Sequence, residues 1–118
     1  MSQEYNDQLL DACSSGKLDI VNELIEKGAD VNCKNGDGRT GLMRASKRGY
    51  DKIVEKLLEK KADVAARDKN NDTALMGAAK HGYRYICELY AKKGDANPSV
   101  TAKISVMETE DAHALFGD

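Results

Sequence analysis

Tryptophan is absent from the 118 residues, and phenylalanine and proline each occur once. With only five tyrosines besides, any core must be aliphatic, built from Leu, Ile, Val, Ala and Met. The three cysteines, Cys13, Cys33 and Cys87, are odd in number, widely spaced and form no CxxC pair. That excludes a disulfide framework and gives no metal-ligand spacing. Cys13 and Cys87 read instead as small buried hydrophobes in a reducing compartment. No apolar run approaches the roughly 20 residues that span a bilayer. The opening MSQEYNDQ has no apolar signal core, so the expectation is a cytoplasmic chain without a membrane partner; nuclear access or delivery as an effector stays open. A net charge of −2 gives the whole molecule no general attraction to nucleic acid. Catalytic signatures are missing too: there is no Gly-rich phosphate loop, and no Ser or Cys is matched by a His-Asp arrangement. His81, before Gly82, reads as a surface histidine. The expectation is a non-enzyme with no cofactor, no metal and no small-molecule substrate.

What is present is a period. Gly16, Gly49 and Gly82 lie 33 residues apart, as do Leu9, Leu42 and Leu75, then Ala12, Ala45 and Ala78, then Ile20, Ile53 and Ile86. Leu18, Tyr50 and Tyr83 break the interval, because Leu18 stands one residue off it. A fixed period of this length implies a stack of small like units rather than one globular core. Hydrophobic residues at 41% and charged residues at 32% supply enough apolar surface to fold.

The stretch from Asp37, DGRTGLMRASKRGYDKIVEKLLEKKADVAARD, gives one unit. Asp37-Gly38 is a turn pair, and Thr40 is a helix N-cap. Leu42, Met43, Ala45 and Ser46 form the apolar and small face of a short helix, which Gly49 ends. Ile53, Val54, Leu57 and Leu58 then mark the stripe of a second helix from about Asp51, with Lys60-Lys61 expected in its last turn. The third unit copies this through Thr73, Leu75, Met76, Ala78, Ala79, Gly82, Ile86 and Cys87. The first begins inside its helix near Tyr5 and ends on GADVN, Gly28 to Asn32. Neither helix of a pair buries its stripe alone, so stability comes from stacking on neighbours.

These units resemble the ankyrin repeat, whose pattern DGxTPLHxAAxxGHxxIVxxLLxxGADVN appears here as DGRTGLMRASKRGYDKIVEKLLEKKADVA, NDTALMGAAKHGYRYICELYAKKGDAN and LLDACSSGKLDIVNELIEKGADVN. The resemblance covers roughly residues 5–97. It implies an all-α solenoid of helix pairs with β-turn tips. We expect one domain over 1–118, with repeats at about 4–36, 37–69 and 70–98. Three departures stand out. Gly41 and Ala74 replace the usual Pro; Met43 and Met76 replace the usual His, which removes a side-chain hydrogen bond; Lys61 replaces Gly28 at a left-handed cap. Asn32 matches a position that asparagine hydroxylases modify in some ankyrin proteins, and is read here as structural. Residues 99–118 are expected to form a shortened C-terminal repeat acting as a cap, the alternative being a partner-binding tail.

The family likeness implies protein recognition on a concave face made by turn tips and first helices. Carried onto this chain, those positions hold Lys34, Asp37, Arg39, Arg44, Lys47 and Arg48, then Arg67, Lys69, Asn70, Asp72, Lys80 and His81. The second helices hold Asp19, Glu23, Glu26, Asp51, Glu55, Glu59 and Glu88, mixed with lysines. The expectation is a basic groove, at Lys34, Arg39, Arg44, Lys47, Arg48, Arg67, Lys69, Asp72, Lys80 and His81, that binds a protein with an acidic or phosphorylated surface. The competing account is a set of charges that only solvates the fold. A small adaptor or inhibitor fits best. A self-associating scaffold subunit is the second reading, and a polyanion binder, to nucleic acid or anionic lipid, the third.

Overall fold

Six helices in three consecutive pairs make up residues 2–92, the part of the chain that this computed structural model describes. They are α1 (Ser2–Ser15), α2 (Leu18–Glu26), α3 (Gly41–Arg48), α4 (Asp51–Glu59), α5 (Ala74–Lys80) and α6 (Arg84–Lys92). The first helix of each pair packs on its counterparts, with α3 between α1 and α5; α4 lies likewise between α2 and α6. The result is two helical layers, as an all-α repeat stack requires. The shortened repeat expected over 99–118 falls outside the described residues.

Each first helix starts and stops by local chemistry. Thr40 is extended, and its Oγ1 accepts the Met43 backbone N–H at 3.2 Å. Thr73 does the same for Met76 at 3.3 Å. The methionines also keep a contact that their histidine-to-methionine exchange was expected to remove. Met43 Sδ accepts the Thr40 backbone N–H and Met76 Sδ that of Thr73, both at 3.5 Å. A thioether is a weak acceptor, yet it reaches far enough to close a reciprocal cap.

At the far end Gly49 takes φ +78, and Gly16 and Gly82 match it at +75 and +74. These turns need glycine twice over. The Tyr50 ring lies on Gly16 so closely that a Cβ there would sit 2.9 Å from Cζ, and Tyr83 lies on Gly49 at the same distance. The tyrosines that fell out of register with Leu18 thus seal each repeat onto the one before.

The core is aliphatic, as the shortage of rings requires. Leu9, Cys13, Val21, Leu42, Ala45, Val54, Leu57 and Cys87 are each no more than 1% exposed. Tyr90 joins them fully buried, its hydroxyl hydrogen-bonded to Ser46 Oγ, which ties α6 to α3. Two periodic positions depart from the expected face. Ile20 is 41% exposed although Ile53 and Ile86 are buried; α2 has a second helix on only one side among the described residues. Met76 is 45% exposed, and it opens onto the groove described below. Lysines 60 and 61 lie just past α4, whose last turn carries Lys56 instead.

Burial pushes the thiols of Cys13, Cys33 and Cys87 up, to about 12, about 11 and about 11. All three are free thiols; Cys13 and Cys87 are buried as their positions suggest, while half-buried Cys33 donates from Sγ to Asn6 O at 3.6 Å.

Candidate functional site

The turn tips are built by one acceptor per repeat. Asn35 Oδ1 accepts the N–H groups of Asp37 and Arg39 at 2.9 and 3.0 Å. One period later, Asp68 Oδ1 accepts those of Asn70 and Asp72 at 2.8 and 3.0 Å. A Lys34–Thr40 β-bridge closes the first tip. The bond from Asp72 N–H, more than any other factor, holds the Asp68 carboxyl below the usual carboxylate range.

Neighbouring tips are then tied together. The Lys69 backbone N–H donates to Asp37 O at 3.0 Å, and Arg39 Nε lies 3.6 Å from Asp68 Oδ2. The bases of the loops are joined by asparagines: Asn6 Oδ1 accepts Asp30 N–H at 2.8 Å, and Asn32 Oδ1 accepts Asp63 N–H at 2.7 Å. Asn32 therefore has a scaffold role, as its position in GADVN suggested.

Between the tips and the first helices runs a groove of about 480 Å³. Its two walls are matched faces of α3 and α5. In repeat register Met43 corresponds to Met76, Arg44 to Gly77, Lys47 to Lys80 and Arg48 to His81; all eight line the groove, and across it Lys47 is the residue that stands against Gly77. Arg39, Asp37, Asp68, Asp72 and Thr73 complete its tip side, with Ser14 and Asn35. The charges are sorted. Asp37, Asp68 and Asp72 stand at the tips with Arg39, which pairs with Asp68, and the other cations of the lining stand along α3 and α5.

Seven of the ten residues picked out by position thus line one groove: Arg39, Arg44, Lys47, Arg48, Asp72, Lys80 and His81. Lys34, Arg67 and Lys69 are exposed but are not part of that lining. Arg67 braces its own loop, donating from Nη1 to Asn71 O at 2.9 Å. His81 stacks on Tyr83, with ring centroids 5.8 Å apart. Sequence reasoning missed the floor. Met43 reads as a core position and is buried, Met76 reads the same way yet is exposed, and Gly77 reads as nothing at all. The available signal was the register itself, since Gly77 stands one period after Arg44.

A sequence model for ankyrin repeats, in three copies, matches residues 9–102. The chain belongs to the ankyrin-repeat family. Ankyrin repeats are generally protein–protein interaction modules. Over 45 residues this ankyrin-repeat chain is 51% identical to a protein of rice (Oryza sativa subsp. japonica) named as a probable E3 ubiquitin-protein ligase. That stretch is 38% of this chain and 9% of the rice protein. Over 48 residues, 41% of the chain, it is 35% identical to an ankyrin repeat protein of Rickettsia felis, of which it covers 76%. A second Rickettsia felis ankyrin repeat protein matches at the same identity over 73% of its length. Among the described residues no group of His, Cys, Asp and Glu could hold a metal ion, and no helix is long and apolar enough to cross a membrane.

Proposed function

We propose that the α3–α5 groove is a protein-recognition surface, and that the chain acts as a small adaptor or as an inhibitor that covers the working face of its partner. The partner presents Asp, Glu or phosphate to Arg44, Lys47, Arg48 and Lys80. The supporting observation is the pairing of walls: two helices place cations side by side in register around an exposed methionine. A charge pattern that served only solvation has no reason to gather one sign along one side of a groove. Lys34, Arg67 and Lys69, on the tips, are the residues that a larger partner would reach next.

Recognition of this kind gains from rigidity. Every groove side chain stands on a capped helix or a hydrogen-bonded tip, so little conformational entropy is lost on binding. The test is affinity capture with the full chain and with its Arg44→Glu, Lys47→Glu, Arg48→Glu variant. The expected outcome is a partner recovered in one-to-one complex by the parent chain and lost by the variant. Equal recovery by both would remove the groove as the binding surface.

A further inference from the structure

Gly77 is out of place by the rules of its own helix. A glycine inside a helix is about 1 kcal/mol less favourable than alanine, and α5 has only seven residues. Nothing in the protein demands it. Its φ is not in the left-handed range, and an added Cβ would meet Lys47 Cα and Cβ at 3.7 Å, an ordinary contact. The preceding repeat carries Arg44 at the same register, so side chains are compatible with the position. What the missing side chain does is leave a slot in the groove. The slot is bounded by Lys47, whose Cα and Cβ stand against Gly77; Met43 and Met76 share the same lining, and Lys80 follows one turn further along α5. Met76, 45% exposed, is an apolar wall with no cover.

We infer that this slot seats an apolar side chain of a linear partner segment, and that a carboxylate or phosphate next to that side chain in the segment reaches Lys47 and Lys80. The inference rests on the groove reading above and narrows it to an apolar-then-acidic peptide. Methionine walls suit such a guest because the thioether is polarisable and adapts its shape. The charge order of the groove sets direction. The acidic flank of the segment lies toward the helix C-terminal ends, away from Asp37 and Asp72, and a basic residue on the other flank faces those tips.

The test begins with a random 12-residue peptide library displayed on phage and selected on the full chain. The enriched peptides are expected to carry a Leu, Met, Phe or Tyr with Asp or Glu within two residues. Affinity of the best peptide is then measured against two variants. Gly77→Leu should fill the slot, weaken binding by at least about tenfold, and leave the melting temperature unchanged or raised. Gly77→Ala serves as the folding control and should melt higher than the parent. Lys47→Glu with Lys80→Glu should weaken binding by a similar factor.

Loss of binding in the lysine variant with no effect of Gly77→Leu would overturn the slot and leave the groove standing. No effect of either variant would overturn both. Enrichment of no peptide, or of peptides without an apolar residue, would overturn the linear-segment reading. So would heparin binding as tight as the selected peptide's and indifferent to Gly77→Leu. A concentration-dependent mass of the parent that Gly77→Leu abolishes would make the occupant a second copy of this chain, and the inference would fall.

Discussion

At the scale of single residues, the departures from the repeat pattern carry the most physics. Lys61 holds φ +64, where the first repeat has Gly28 at φ +98. The left-handed region costs a residue with Cβ roughly 1–2 kcal/mol, and glycine returns part of that gain through its freer unfolded chain. Lys61→Gly should therefore raise stability by a net ~0.5–1 kcal/mol. A urea midpoint that rises at unchanged slope would bear this out; a fall would mean that Lys61 makes contacts that outweigh its backbone strain. Gly41 is the opposite case. A Cβ there would lie 2.8 Å from Cys13 Sγ, and Cys13 is fully buried. The glycine therefore accommodates the thiol, which explains the loss of the usual proline better than drift does. One repeat on, the register puts Ala74 and Ser46 where Gly41 and Cys13 stand, and the Ser46 Oγ is engaged by Tyr90. Gly41→Ala should cost ~1–3 kcal/mol by overpacking. In the Cys13→Ala background most of that cost should vanish. A double-mutant cycle measures the coupling, and simple additivity would show that the two sites do not press on each other.

At the scale of elements, the tips and the second helices separate what sequence can say from what it cannot. Asn35 and Asp68 do the same work one period apart, yet only Asp68 titrates. Its folded pKa is lowered, so its contribution is complete above the unfolded carboxylate value, near 4, and fades as pH falls through the folded one. Asp68→Asn should thus be slightly less stable than the parent at pH 7 and lose that deficit as the pH falls below about 4. Unfolding free energies that stay parallel down to pH 2 would mean that the charge is irrelevant to the tip. In the second layer Leu57 of α4 is fully buried, with its Cδ1 toward Gly41 of α3, and Leu57→Ala should cost roughly 2–5 kcal/mol, read as a drop in urea midpoint. A change under about 0.5 kcal/mol, typical of a surface site, would place Leu57 on the wrong face. The helices, their order and these buried stripes were legible because period and amphipathicity are properties of the chain itself. The start of the first helix was legible only loosely: the first unit reads as beginning inside its helix near Tyr5, and that helix runs from Ser2. The methionines were misjudged because a thioether is not counted among capping acceptors. Ile20 and Met76 were misjudged because repeat register reports equivalence of backbone, while exposure depends on which neighbour stands beside each copy. The ten candidate positions were legible as tip and first-helix residues. Their sorting into a groove, with Lys34, Arg67 and Lys69 outside it, depends on how tips lean together through Lys69–Asp37 and Arg39–Asp68, and no pattern in the sequence encodes that.

At the scale of the whole molecule, net charge and local charge point in opposite directions, and salt decides between them. The chain carries −2 overall, so an acidic partner is weakly repelled at long range. Within the groove it meets Arg44, Lys47, Arg48 and Lys80 together. At 0.15 M ionic strength the Debye length is about 8 Å, so only charges at contact distance act, and those favour binding. At 0.01 M the length grows to about 30 Å, and the acidic residues of the second helices join in against it. A partner held by the groove cations should therefore lose affinity as salt rises above physiological strength, as contact pairs are screened. Below physiological strength it should gain less than those pairs alone would give. Reversing Arg44, Lys47 and Arg48 to Glu should weaken binding by at least about tenfold, roughly 1.4 kcal/mol, and remove the high-salt decline. The melting temperature should fall by no more than the helix-dipole terms allow, since these side chains line the groove rather than fill the core and cations at the end of α3 contribute ~0.3–1 kcal/mol each. Isothermal titrations of the two proteins across a salt series measure all of this together. An affinity that survives the triple reversal with its salt response intact would leave the groove charges as solvating residues and move the binding surface elsewhere on the stack.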